Sequence, residues 1–264
     1  MQNIFQITNR IKRKINVLAV SLIFVLKGIV PVSAFDFSDW DALIQDHVSP
    51  KVVSGILIHA VNYKDLKKDP KFSNLVSRLR SVRLDSLKTR EEKLAFWINT
   101  YNILAIKMVV DHYPIKSIKD IGSFFSPVWK KPAGSVAGKE RTLDEIEHEI
   151  LRKLDEPRIH VAIVCASVSC PDLRLEAFKA KVLNKQLSNQ LKAFLKSAAK
   201  GMKIEQNKRK LYLSSIFKWF EDDFESRGGV LKFISKYVPT SVAKELTEPD
   251  INVSYLPYNW GLNN

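Results

Sequence analysis

The stretch Arg158–Pro171, R-I-H-V-A-I-V-C-A-S-V-S-C-P, holds a histidine and both cysteines of the chain. Thiol chemistry needs a nucleophile on an accessible edge and a base within reach of its proton, and these residue types supply both. Ile159, Val161, Ile163 and Cys165 alternate with His160, Ala162, Val164 and Ala166, the period of a strand covered on both faces. The small polar run from Ser167, and Pro171, which cannot donate to a ladder, end that strand in a loop. Cys170 on the loop is then the candidate nucleophile and His160 its base. Strict alternation turns Cys165 to the face opposite His160. The competing reading is structural: a core histidine and two cysteines that are buried or joined in a disulfide.

An acid completes the constellation. Thr142-Leu143-Asp144-Glu145 is a capping box that opens a helix to about Leu154. At about 100° per residue, Leu143, Ile146, Ile150, Leu151 and Leu154 form one apolar face with Glu147 in its middle. A lone ionised carboxylate there is costly, so Glu147 needs a partner. That partner is His160, which Glu147 would orient in the manner of a triad, or an arginine, Arg158 or Arg174, in a structural ion pair. His148 sits at the edge of the same face, with Arg152 at i+4.

Asn99 and Asn102 lie three apart within the apolar segment Glu91–His112. Buried amides must be satisfied, either by locking loop backbone or by facing a cleft, where one would serve as an oxyanion donor. A zinc set drawn from His148, His160, Cys165 and Cys170 matches no standard spacing. No glycine-rich phosphate loop, H-E-x-x-H or EF-hand pattern occurs, so neither metal nor cofactor is expected.

Hydrophobic periodicity predicts helices over Trp40–Gln45, Val52–Val61, Phe72–Arg80, Glu91–His112, Leu183–Lys200, Ile216–Phe224 and Val230–Val238. Besides the strand over 159–165, it predicts a hairpin of Met202–Glu205 and Lys210–Ser214 and a last strand at Val253–Leu256. Ser117–Gly138 reads as a wrapping loop that carries Phe124, Phe125 and Trp129. The fold class expected is α+β, with many helices packed around a small central, mainly antiparallel sheet.

Arg10, Lys12, Arg13 and Lys14 precede the apolar run Ile15–Leu26, which Lys27 stops, and Val32-Ser33-Ala34 offers a cleavage site. Residues 1–34 are expected to be a secretory signal peptide, with an uncleaved anchor as the alternative, and residues 35–264 a single exported domain in the periplasm or outside the cell. No stable transmembrane helix is expected after processing. The formal charge is +14, and the basic residues are scattered rather than gathered in an aromatic stripe. An anionic envelope polymer, a peptide or a membrane surface is therefore the expected partner, not nucleic acid.

Four blocks occur in order: F-W-I-N-T-Y-N (96–102), L-D-E-I-E-H-E-I-L-R (143–152), P-R-I-H-V-A-I-V-C-A-S-V-S-C-P-D-L-R (157–174) and Y-N-W-G-L-N (258–263). With them the chain resembles, from about Val48 to its end, the DUF547 family, a domain of unknown function whose bacterial members are typically exported. The family's closing block is usually Y-D-W-x-L-N, and Asn259 stands here at the aspartate position. The resemblance implies no established activity. A similarity suggested for the family, to cysteine-peptidase or transglutaminase-like folds, agrees with the Cys-His-acid reading, although plant relatives often lack the cysteine pattern. The expected function is a thiol-dependent hydrolase or acyl/amide transferase on peptide or cell-envelope material. Cys170 would attack, His160 would take the thiol proton, Glu147 would orient the imidazole, and Asn99 or Asn102 would stabilise the oxyanion. The alternative is a non-catalytic binding or structural module of the envelope, docking through its basic surface and the Phe124–Trp129 loop.

Overall fold

The computed structural model describes residues 35–205 and 209–264, so the leader and cleavage site expected over 1–34 lie outside the described residues. Helix α1 (Ser38–His47) leads into a hairpin of β1 (Val48–Val53) and β2 (Ile56–Val61). This hairpin corrects the helix expected over Val52–Val61. Ser54 and Gly55 both take positive φ, 51° and 77°, which is the two-residue turn whose twist matches antiparallel strands. The β-branched Val52, Val53, Ile56 and Ile58 on either side suit a pleat better than a helix.

Helices α2 (Tyr63–Leu66) and α3 (Pro70–Leu79) follow, and then α4 (Arg90–His112). Thr89 and Glu92 form a reciprocal capping box at the start of α4. The helix is buried nearly all round, as its sequence requires, and forms the axis of the larger hydrophobic cluster. A second hairpin, β3 (Pro132–Val136) and β4 (Lys139–Thr142), falls within and just after the segment read as loop.

Thr142 accepts the Glu145 N–H at 3.0 Å, so the threonine half of the predicted capping box forms, while the Glu145 carboxylate pairs with Lys139 and Arg141. The turns beyond it are wider than expected: Glu145–Leu151 is a π-helix, closed by a 3₁₀ turn at Arg152–Leu154. The strand expected over 159–165 does not form. Pro157–Val161 is a 3₁₀ turn, and an irregular loop carries the chain from there through Cys165 to Pro171. Alternation within a segment that is buried on every side does not distinguish the two conformations.

The rest of the chain comprises α5 (Leu183–Lys196), β5 (Met202–Glu205), β6 (Lys210–Leu213), α6 (Ser215–Trp219), α7 (Val230–Ile234), α8 (Thr240–Leu246) and β7 (Asn252–Tyr255). Between α6 and α7, Glu221–Arg227 is a 3₁₀ segment. The architecture is α+β, as expected, with many helices and small sheets that are antiparallel except where β7 joins β6 in parallel. The strands do not gather into one central sheet. They form separate small sheets, and α4 takes the central place.

Buried side chains gather in two large clusters. The first surrounds Ile98, Ile103 and Leu104 of α4; the second packs Phe194, Leu213, Phe217, Phe224 and Ile234. No helix of the described residues is long and apolar enough to cross a membrane.

Candidate active site

A cleft of about 180 Å³ opens where the two clusters meet. Ile163, Val164 and Cys170 of the first cluster line it, together with Ile216, Phe220 and Tyr258 from the side of the second. The cysteine loop is held in place from three directions. Asn102 of α4 donates to the Ala162 carbonyl at 3.0 Å and accepts the Val164 N–H at 2.8 Å. The C-terminal block is zipped along the loop: Val168 N–H donates to Gly261 O at 2.8 Å, and Asn263 N–H to Ala166 O at 3.2 Å. At the far end, Asp172 accepts from the buried Lys200 at 2.6 Å and from the His59 N–H at 2.9 Å. Ala166 is forced to a left-handed φ of 56°, a strained conformation for a residue with a Cβ, and turns the chain sharply just after Cys165.

The two thiols are unbridged and differ in character. Cys165 is half-buried and faces the cleft, with the Ser167 hydroxyl 3.0 Å and the Tyr258 hydroxyl 3.1 Å from its sulfur. Burial works against a Cys165 thiolate, but donors on Cys170, Ser167 and Tyr258 outweigh it and hold the thiol below its usual pKa. Cys170 is 4% exposed, and its sulfur accepts the Cys165 N–H at 2.8 Å. Burial, together with the adjoining Cys165 sulfur, pushes its pKa well above the usual thiol value. Of the two thiols, Cys165 is thus the more exposed and the one whose thiolate is favoured, while Cys170, expected on an accessible loop, is enclosed. Alternation fails as a guide because the loop at 162–171 is not a strand.

His160 is buried against the Phe220 ring, with centroids 3.9 Å apart and planes 16° from parallel. Its Nε2 lies 2.7 Å from Asp223 Oδ2. Arg152 grips the same carboxylate with two bonds, Nε to Oδ2 at 2.8 Å and Nη2 to Oδ1 at 2.6 Å. Burial tends to raise the Asp223 pKa, but the bonds from His160 and Arg152 prevail and keep it far below the usual carboxylate range. Nε2–H is committed to Asp223, so Nδ1 is the ring nitrogen left outside that bond. It is buried and has no hydrogen-bond partner.

Glu147 was expected to orient His160. The structure brings the two together, but Glu147 Oε1 stands 3.7 Å from Nδ1, beyond hydrogen-bonding reach, and its other oxygen accepts the Tyr101 hydroxyl at 3.1 Å. The orienting acid is Asp223. Nothing in the run Glu221-Asp222-Asp223 distinguishes it from a solvated acidic stretch, and only the tertiary contact reveals it. The arginines weighed as Glu147 partners are engaged elsewhere, Arg158 with Glu156 and Arg174 with Glu176.

The asparagines are locks rather than oxyanion donors. Asn99 exchanges two bonds of 2.9 Å with the backbone of Phe178, as Asn102 does with residues 162 and 164. Neither lines the cleft. Asn259 accepts the Gly261 N–H at 2.9 Å through its side-chain oxygen, a role that an aspartate would fill equally. An aromatic wall that sequence reasoning missed closes the cleft. Trp219 and Trp260 stack 5.8 Å apart at 18°, and Tyr258 lies 4.5 Å from Trp260.

Residues 84–195 match the model of the DUF547 family, described as a protein of unknown function. That segment carries His160, both cysteines, Glu147 and both asparagines, whereas Asp223, Trp219, Tyr258 and Trp260 lie beyond its end. No curated protein and no solved structure matches the chain.

Proposed function

We propose that this DUF547 protein is a thiol-dependent hydrolase or acyl/amide transferase in which Cys165 is the nucleophile. One observation carries the reading. A cleft-facing thiol flanked by the Ser167 and Tyr258 hydroxyls shares its cleft with a histidine whose Nε2 bonds Asp223 and whose Nδ1 has no partner. His160 Nδ1 takes the thiol proton, and the Cys165 sulfur bonds to the carbonyl carbon of an ester or amide. As the tetrahedral adduct collapses, the bond from that carbon to the leaving group breaks, and the leaving group takes the proton from His160. Water, or an acceptor amine or hydroxyl, then attacks the thioester carbon while Nδ1 receives its proton; the C–S bond breaks, and the departing Cys165 sulfur takes that proton back from Nδ1, restoring the thiol and the neutral imidazole. Asp223 keeps the ring in place and stabilises the imidazolium in both steps.

The pattern of residues 1–34 supports export, and with it peptide or cell-envelope material as the substrate. N-terminal sequencing of the exported protein is expected to begin at Phe35; a start at Met1 contradicts the processing.

The chemistry is tested with p-nitrophenyl acetate. A burst of nitrophenol with the acetyl group mapped to Cys165 by mass spectrometry is expected, lost in Cys165→Ser and kept in Cys170→Ser. Acetyl mapped to Cys170, or no acylation of folded wild type, sinks the assignment.

A further inference from the structure

We infer that the turn Ser123-Phe124-Phe125-Ser126 docks the protein onto a bilayer bearing anionic lipid. Phe124 is 92% exposed and Phe125 94%, well above the next most exposed large apolar side chains among the described residues, Val52 and Leu57 at 64% each. The turn that presents them is built rather than slack. Ser123 N–H donates to Ser126 O at 2.9 Å, and Ser126 N–H returns a bond to the Ser123 hydroxyl at 3.1 Å. The two rings meet edge to face, 5.3 Å apart. Buried Ile118 and Val128 anchor the base of the loop on the core.

The segment that carries this tip is basic, and one of its lysines, Lys119, lies over the Trp260 ring at 4.8 Å. Between residues 113 and 131 the chain carries Lys116, Lys119, Lys130 and Lys131, and Asp120 is the one acid. Its carboxylate already caps the backbone, accepting the N–H groups of Lys116 and Ser117. Exposed aromatic side chains at the tip of a segment that also carries exposed lysines suit a membrane surface, with its acyl boundary and anionic headgroups. A specific protein interface buries about 1,200 Å² or more, far beyond what a two-residue protrusion supplies, whereas insertion into lipid needs no complementary partner surface.

Trp129, four residues beyond Phe125, lines the cleft, so the docking segment and the cleft share one stretch of chain. The inference does not depend on the thiol chemistry.

The test uses protein purified after export and sucrose-loaded vesicles of phosphatidylcholine, alone or with about one third phosphatidylglycerol. Wild type is expected to sediment with the anionic vesicles and to be released by added salt. Phe124→Ser/Phe125→Ser should lower the partition coefficient about tenfold or more, because two exposed side chains lose their apolar transfer. Val52→Ser/Leu57→Ser, on another exposed tip, should bind as wild type does; circular dichroism verifies that both variants are folded. Failure of wild type to sediment, unchanged binding by the Phe124/Phe125 variant, or an equal loss in the control overturns the inference. Equal binding to neutral vesicles overturns the anionic requirement. Self-association that depends on the two phenylalanines, without vesicle binding, assigns the tip to protein contact instead.

Discussion

Asp223 lies 63 residues beyond His160 in the chain and bonds its Nε2 at 2.7 Å. Arg152 grips both oxygens of the same carboxylate and shares Oδ2 with the imidazole, so the ring is fixed by a carboxylate that is itself fixed. The aromatic stack with Phe220 removes the remaining freedom of the ring. A histidine restrained in this way has one nitrogen bonded and the other, Nδ1, buried without a hydrogen-bond partner, 3.7 Å from Glu147 Oε1.

Asp223→Asn should weaken both bonds and destabilise the fold by about 1–3 kcal/mol. The pH dependence has a definite sign. The folded pKa is lowered, so the stabilisation is complete above the unfolded value of about 3.9 and is lost as the pH falls below it. Urea melts should therefore show the largest gap between wild type and variant near neutrality, narrowing at acid pH. A gap of constant size down to about pH 2 would refute the linkage.

Tyr258→Phe deletes one of the hydroxyls that face the Cys165 sulfur, and its thiol pKa should rise. Iodoacetamide labelling followed by peptide mapping would place the alkylation profile of Cys165 at higher pH than in wild type, with Ser167→Ala moving it the same way. Cys170 should stay unlabelled until the protein unfolds. Native labelling of Cys170 ahead of Cys165 contradicts the thiol assignment.

Asn102 and Asn99 make similar bonds to different loops, and this separates positioning from stability. Asn102→Ala and Asn99→Ala each strand two buried backbone groups and should cost about 2–4 kcal/mol. Only Asn102→Ala should also slow Cys165 alkylation, because it alone holds the backbone at 162 and 164. Equal slowing in the two variants would mean that the effect is loss of stability alone.

Glu147→Gln preserves an acceptor for the Tyr101 hydroxyl and should change stability by less than about 1 kcal/mol, while Glu147→Ala leaves that buried hydroxyl unpaired and costs about 1–3 kcal/mol. Thermal melts rank the set. Glu147→Gln proving more destabilising than Asp223→Asn would restore Glu147 as the acid that supports His160.

Much of this was legible in the residues themselves. A segment apolar on every side, opened by Thr89 and Glu92 and stopped at Tyr113-Pro114, has no alternative to a buried helix, and α4 is that helix. The amphipathic α5, the β5–β6 hairpin and the α+β class follow from local period and turn chemistry in the same way. The clustering of His160 and the two cysteines was also visible, since they are neighbours in the chain. The β1–β2 hairpin was within reach too, through the Ser54-Gly55 turn.

What the chain order does not encode is which side chain completes each bond. Residues 159–164 are buried whatever their conformation, so their alternation carries no information about facing, and only the tertiary structure shows that Cys165 is half-buried at the cleft while Cys170 is enclosed. Glu147 was placed by a period of 3.6, but the π-helix winds more slowly and turns it to the edge of the cleft, where Tyr101 meets it. Asp223 and Tyr258 come from 63 and 93 residues beyond the groups they serve. Short-range pattern determines where apolar surface must be hidden. The pairing of buried polar groups is decided only when two separate hydrophobic clusters close on one another, because each such group must find its partner there or remain unsatisfied.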